Sequence, residues 1–257
     1  MEFSRKWYEE KFRVLFELVG RVAVHQASII GSVEEERAYL LFHKERFYEL
    51  LKIISKYATA NAKVLDIGTS HLTLLLSEIY KDITTLDSRD GWRNRVEPHG
   101  IHFIQHDLLS PPIPLRDDSF DLIVCSEVIE HLPINPAQIF SQIFKLLRKD
   151  GVLILTTPNA VSYYHRRDML FGKNPFQIPP AGPDTTGSWH AREYTLRELE
   201  DFSKSAGFKI IEARYPWYWN QPERKTFFSK IKGLALKLIF TFKPSLRDGL
   251  LLVLKKT

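Results

Sequence analysis

A single cysteine in 257 residues rules out an internal disulfide, and its place in an apolar run makes Cys125 a buried thiol rather than a nucleophile. Long hydrophobic runs are missing too. No apolar span reaches eighteen residues, which argues against a membrane-crossing helix, and the opening Met1-Glu-Phe-Ser-Arg-Lys-Trp lacks the apolar core of a secretory signal. The expectation is a protein that works in the cytoplasm, where it is made. Acidic residues are scarce in one region only. From Pro222 to Thr257 nine Lys or Arg stand against Glu223 and Asp248, a local charge of +7, while the other residues carry 27 basic and 29 acidic groups, or −2. The whole-chain charge of +5 is therefore local in origin, and a surface that coats nucleic acid is not expected.

What is present is an ordinary globular composition, 44% hydrophobic and 26% charged, on a chain long enough for one domain with additions. Residues 1–58 read as an N-terminal helical extension. Trp7, Phe12, Leu15, Phe16, Leu18 and Val19 recur at helical spacing, and Tyr39, Leu40, Phe42, Phe47, Leu50, Leu51 and Ile54 do so again. Gly31-Ser32 separates the two patterns, and Ser32-Val-Glu-Glu-Glu suits the capped, acid-rich start of the second helix. The pattern leaves open whether these helices pack outside a sheet or cover a ligand.

From residue 63 the period changes. Lys63-Val-Leu-Asp-Ile-Gly68 is an apolar run too short for a helix, ending in a carboxylate and a glycine that lets the backbone turn. It predicts the first strand of a doubly wound α/β sheet, delivering Asp66 to a crevice at the carboxyl edge. Ile83-Thr-Thr-Leu-Asp87 and Ile101-His-Phe-Ile-Gln-His-Asp107 also end in acids, and Phe120-Asp-Leu-Ile-Val-Cys125 runs into Ser126 and Glu127. Four polar strand ends describe one rim. The segment after Gly68 predicts a helix whose first amides face the crevice. Asp87, about twenty residues beyond Asp66, suits the two hydroxyls of a ribose; it reads equally as part of a surface turn, Asp-Ser-Arg-Asp-Gly.

Asp117-Asp-Ser-Phe-Asp-Leu-Ile-Val-Cys-Ser-Glu-Val-Ile-Glu-His-Leu-Pro is the most specific stretch, followed by a helix over about 136–147 and a strand from Val152 to Thr156. Together with Asp66, Gly68, Asp87 and Asp107 it resembles the class I S-adenosylmethionine-dependent methyltransferases, over about residues 62–215. The resemblance implies S-adenosyl-L-methionine as cofactor and a Rossmann-like seven-stranded sheet in the order 3-2-1-4-5-7-6, with strand seven antiparallel, over residues 59–257. It further implies that Asp66, Gly68 and Thr69 form the first cofactor motif and that Asp87 holds the ribose hydroxyls. Asp107 with Leu108 would meet the adenine, and Ser126 or Glu127 would line the methionine side. The family usually has glycines where this chain has Ser70 and Leu72. A side chain at Ser70 is expected to narrow the backbone's approach to the ligand, and a non-catalytic binding subunit that keeps the fold is the corresponding alternative.

The acceptor side is expected in a loop insertion at 157–192, rich in Pro, Gly and aromatics, that leaves Thr156-Thr-Pro-Asn159. Trp189-His-Ala-Arg-Glu-Tyr-Thr195 then leads into a helix capped at Thr195 with Glu198 three residues on. These motifs resemble a branch of the family that methylates glycans, lipids and small molecules, so an oxygen of a small-molecule or saccharide acceptor, lipid-linked or free, is the expected target. Glu127-Val-Ile-Glu130-His131 has two open readings. In one, His131 or His190, with Glu130, takes a proton from the acceptor. In the other, Glu127, Glu130, His131 and His190 hold a divalent metal, a pattern similar to metal-dependent RNA 2′-O-methyltransferases.

A second insertion, 216–247, separates the expected strands six and seven. Phe227, Phe228, Ile231, Leu234, Ala235, Leu238, Ile239 and Phe242 follow helical spacing among Lys225, Lys230, Lys232, Lys237 and Lys243. Such a helix suits peripheral contact with an anionic membrane at its inner face; packing on its own domain with solvated lysines is the commoner use of such a stripe.

Overall fold

The computed structural model describes residues 3–22, 32–178, 189–217 and 227–257. Strands β1 (Lys63–Ile67), β2 (Asp82–Asp87), β3 (His102–Gln105), β4 (Phe120–Ser126), β5 (Leu147–Pro158), β6 (Lys209–Arg214) and β7 (Gly249–Lys255) form one sheet. Their order is β3-β2-β1-β4-β5-β7-β6. Only β7 runs against its neighbours, so the expected order and the antiparallel seventh strand are both present.

Side chains alternate across a strand, and here the alternation sorts the core into two layers. Val64, Leu122, Val124, Val152, Ile154, Leu251 and Val253 belong to one layer. Their sequence neighbours Leu65, Ile123, Cys125, Leu153, Leu155, Leu252 and Leu254 belong to the other. Both faces are covered, which is why the central strands read as unbroken apolar runs. Cys125 lies fully buried in the second layer, and burial pushes its thiol well above the usual range.

Helices α1 (Arg5–Val22) and α2 (Val33–Tyr57) pack on the first face: Tyr8, Phe12, Leu15, Leu40, Phe47, Leu50 and Ile54 are buried in the same layer as the strands. Their sequence pattern left this placement open. Ser32 caps α2 and Glu35 returns the bond to the Ser32 amide, a full capping box. Helices α3 (His71–Ser77) and the short α4 (Arg93–Val96) share this side, whereas α5 (Pro136–Leu146) and α7 (Leu196–Ser205) cover the other.

Both insertions leave from the carboxyl edge. After β5, Ser162 caps α6 (Tyr163–Leu170), a helix inside the segment expected to be a loop. Residues 179–188 of that acceptor loop lie outside the described residues. After β6 comes α8 (Phe227–Phe242), matching the apolar periodicity; Lys225 lies outside the described residues. Among the described residues no helix is long and apolar enough to cross a membrane.

Candidate active site

The turn after β1 is built for close approach. Gly68 sits at φ +88°, and a Cβ there would meet Val128 Cγ2 at 2.4 Å, so only glycine fits between β1 and the segment after β4. The Gly68 amide donates to Leu86 O (2.9 Å), bringing the turn against the end of β2. There the Asp87 carboxylate accepts from the Thr69 amide (Oδ2, 3.1 Å) and from the Arg89 amide (Oδ1, 2.9 Å). Burial raises the Asp87 pKa, with the Arg89 and Thr69 amides opposing. Asp87 is therefore part of a structured strand end, not a loose surface turn.

Asp66 is 1% exposed and accepts the Thr73 hydroxyl at 2.5 Å. Its carboxylate braces the start of α3 rather than facing open crevice. Ser70, where the family usually has glycine, adopts extended backbone at φ −154°, a conformation open to any residue, and caps α3 by accepting from the Leu72 amide (3.2 Å). The backbone at this position thus does not itself call for the family's glycine. Asp107, just past β3, accepts from the Leu109 amide at 2.9 Å, and Leu108 is buried beside it.

Burial first, then the charge of Asp87, pushes the Asp66 carboxyl up to about 7 against the Thr73 bond. The folded value lies above that of an unfolded chain, about 3.9. Its contribution to stability is accordingly complete below pH ~4 and is lost as pH rises toward ~7. Asp66→Asn in the cofactor-free protein should flatten that part of the profile and be relatively more stable at pH 8 than at pH 5 by on the order of a few kcal/mol. Urea titrations at the two pH values measure this; parallel profiles for the two proteins would refute it.

On the other side of the crevice Glu127 takes a left-handed backbone, φ +57°, which is strained for a non-glycine residue. Three contacts hold it: its amide donates to Thr156 O (2.9 Å), Thr156 Oγ1 donates to its Oε1 (2.9 Å), and Arg46 Nη1 of α2 lies 3.2 Å from its Oε2. Ser126 Oγ also meets Thr156 Oγ1, at 2.9 Å.

Glu130, His131 and His190 come together, each offering a ligand atom within 4.8 Å of the others. Glu127 is not among them, since Arg46 and Thr156 engage its carboxylate. Glu130 is 1% exposed; its Oε2 accepts the Thr157 hydroxyl (2.8 Å), while Oε1 has no hydrogen-bond partner among the described residues and lies 4.0 Å from His131 Nε2. Burial and then the Glu127 charge raise its pKa well above the carboxylate range. His131 Nδ1 lies 2.8 Å from Trp189 O, a group that only accepts, so Nδ1 carries a hydrogen, and Nε2 is the ring atom nearer Glu130. His190 Nδ1 is held by Glu193 at 2.9 Å, and the two imidazoles meet edge to face at 5.0 Å. Imidazoles oriented through one nitrogen, beside a buried carboxyl, suit either a proton or a divalent cation.

Several of these partners were not evident from the sequence. Arg46 stands in a helical pattern 81 residues before Glu127 and nothing local marks it. Nor does anything mark Glu36, fully buried on α2, which bonds Arg95 and, at 2.7 Å, His71 Nε2 at the start of α3. Glu193, by contrast, lies within the His-x-Arg-Glu-Tyr motif and could have been drawn from it.

A methyltransferase-domain family model matches residues 42–213. A probable S-adenosylmethionine-dependent methyltransferase from Mycolicibacterium smegmatis is 36% identical over 98 residues, covering 38% of this chain and 32% of the relative. The chain thus spans about a third of the length of this curated relative. A ubiquinone biosynthesis O-methyltransferase from Glaesserella parasuis is 32% identical over 65 residues, 25% of this chain and 27% of that one. Among solved structures, an S-adenosylmethionine-dependent methyltransferase from Mesorhizobium loti superposes with a TM-score of 0.56 at 16% identity, covering 81% of this chain and 96% of its own; this likeness speaks for the fold. The family match runs through the glycine turn, the acid ending β2 and the Glu130-His131 segment alike, and the chain belongs to the class I S-adenosylmethionine-dependent methyltransferases.

Proposed function

We propose that the protein transfers a methyl group from S-adenosyl-L-methionine to an oxygen of a small-molecule or saccharide acceptor. The Gly68 cradle, which any Cβ would fill, fits the cofactor, as does the amide-braced Asp87 one strand away. In this reading Asp87 accepts the ribose hydroxyls, Asp107 and Leu108 border the adenine, and Gly68, Thr69, Ser126 and Glu127 border the methionine portion. When bound, the cofactor supplies an already activated methyl group. What remains for the chain is to position the acceptor, exclude water and take away one proton.

The observation that carries oxygen over nitrogen is the Glu130, His131 and His190 cluster. A neutral amine attacks with its own lone pair, whereas a hydroxyl becomes a competent nucleophile only as its proton leaves. His131 Nε2 is set to receive that proton, with the Trp189 carbonyl stabilising the ring's orientation. The relative named for ubiquinone O-methylation lends support from sequence. The same three ligand atoms support a second reading, in which a divalent cation lowers the acceptor's pKa at that point.

Labelled-methyl assays against a panel of phenols, sugars, amines and carbon acids test the proposal. Product is expected on hydroxyl acceptors alone. Transfer confined to nitrogen or carbon would overturn it, and so would cofactor binding without turnover across the panel. Loss of activity on chelation, with recovery on adding Mg²⁺ or Mn²⁺, separates the metal reading from the proton reading.

A further inference from the structure

We propose that α8 docks the protein on an anionic lipid surface, its outward apolar side chains at the acyl boundary and its lysines among the phosphates. The helix has two apolar faces. One is used internally: Leu236 and Phe240 are 5% and 1% exposed, and the Phe240 ring meets Tyr163 of α6 at 5.8 Å and Trp217 at 5.4 Å. The other faces away from the domain. Ile231, Leu234, Leu238, Ile239 and Phe242 recur at i, i+3, i+7, i+8 and i+11 and are 42–85% exposed.

A helix that merely covers its own domain presents polar residues outward. Here the outward stripe is apolar, and Lys237 and Lys243, both exposed, border it on opposite sides by helical register. Between Glu223 and Asp248 the sequence holds no acid at all, and Lys230 and Lys232 add to the same helix. An apolar stripe with cations on its edges, on a helix that carries no acid of its own, complements a negatively charged bilayer. A protein partner would more often be met by mixed charges and hydrogen-bonding groups.

The location agrees. Helices α6 and α8 rise from the carboxyl ends of β5 and β6, the edge that carries the crevice, and Leu170 and Phe171 at the end of α6 are 81% and 71% exposed. Phe242 also borders an open groove of about 800 Å³ between α8 and α2, lined by Glu45, Tyr215, Trp217 and Arg247.

The test is cosedimentation of the full chain with vesicles of phosphatidylcholine alone and of phosphatidylcholine mixed with phosphatidylglycerol. Binding is expected to the mixed vesicles and to weaken as salt rises. Leu234→Glu/Leu238→Glu should lower partitioning by more than about tenfold, while thermal melting and calorimetric cofactor binding stay at wild-type values. Lys237→Glu/Lys243→Glu, at exposed positions, should weaken binding and blunt its salt dependence, and serves alone if the leucine pair misfolds. Failure to sediment with anionic vesicles overturns the proposal. So does binding indifferent to these substitutions, or ultracentrifugation showing a dimer that the leucine pair dissolves, which would make this face a self-association surface.

Discussion

Asp87→Ala is expected to reduce affinity for S-adenosyl-L-methionine by roughly two to three orders of magnitude. Hydrogen bonds to a charged group each contribute about 1.5–3 kcal/mol, and in the proposed site this carboxylate accepts from both ribose hydroxyls. The same residue stabilises the cradle, because its two oxygens already accept from the Thr69 and Arg89 amides. Alanine removes ligand contact and brace together. Asp87→Asn keeps one acceptor oxygen and should fall between alanine and wild type. Affinity should also decline on acidification sooner than an ordinary aspartate would dictate, since burial raises this pKa and the charged form is the better acceptor. Isothermal calorimetry on protein shown to be folded measures all three, and unaltered affinity in the alanine variant would count against the assignment.

The second large effect belongs to the acceptor side. His131→Gln should lower kcat by about 10²–10⁴-fold, the usual worth of a positioned proton acceptor, with cofactor affinity unchanged. Glutamine can still reach the Trp189 carbonyl yet cannot take up a proton at neutral pH. Glu130→Gln is the sharper companion. It preserves an acceptor for the Thr157 hydroxyl, so packing survives, but it can neither share a proton with His131 nor bind a cation as a carboxylate does. Equal losses of kcat in both variants, at constant KM, would indicate a unit acting in the transition state. A rise in KM with kcat intact would instead mean that the cluster only binds the acceptor.

Much of this architecture is readable in one dimension because its causes are local. Alternation over two-sided strands, a glycine before a turn, and Ser or Thr caps with Glu three residues on all leave signatures within a few positions. The strand order follows from family resemblance more than from the pattern. The partnerships that complete the crevice are not local. Arg46 pairs with Glu127 because α2 folds back across the sheet, and Asp66 turns inward because Thr73 offers a hydroxyl one helical turn into α3. A similar limit applies to α8. With apolar residues on two faces, its sequence alone does not say which is consumed by the domain; Phe240 against Tyr163 and Trp217 decides it.

Glu36 and Arg46 occupy one rigid rod, ten positions apart and so about 15 Å along its axis. The first anchors the start of α3 through His71, and the second steadies Glu127 across the cleft. Any displacement of that rod must tug on both walls simultaneously, which makes the amino-terminal segment a shared mechanical element of the machine rather than an ornament on it.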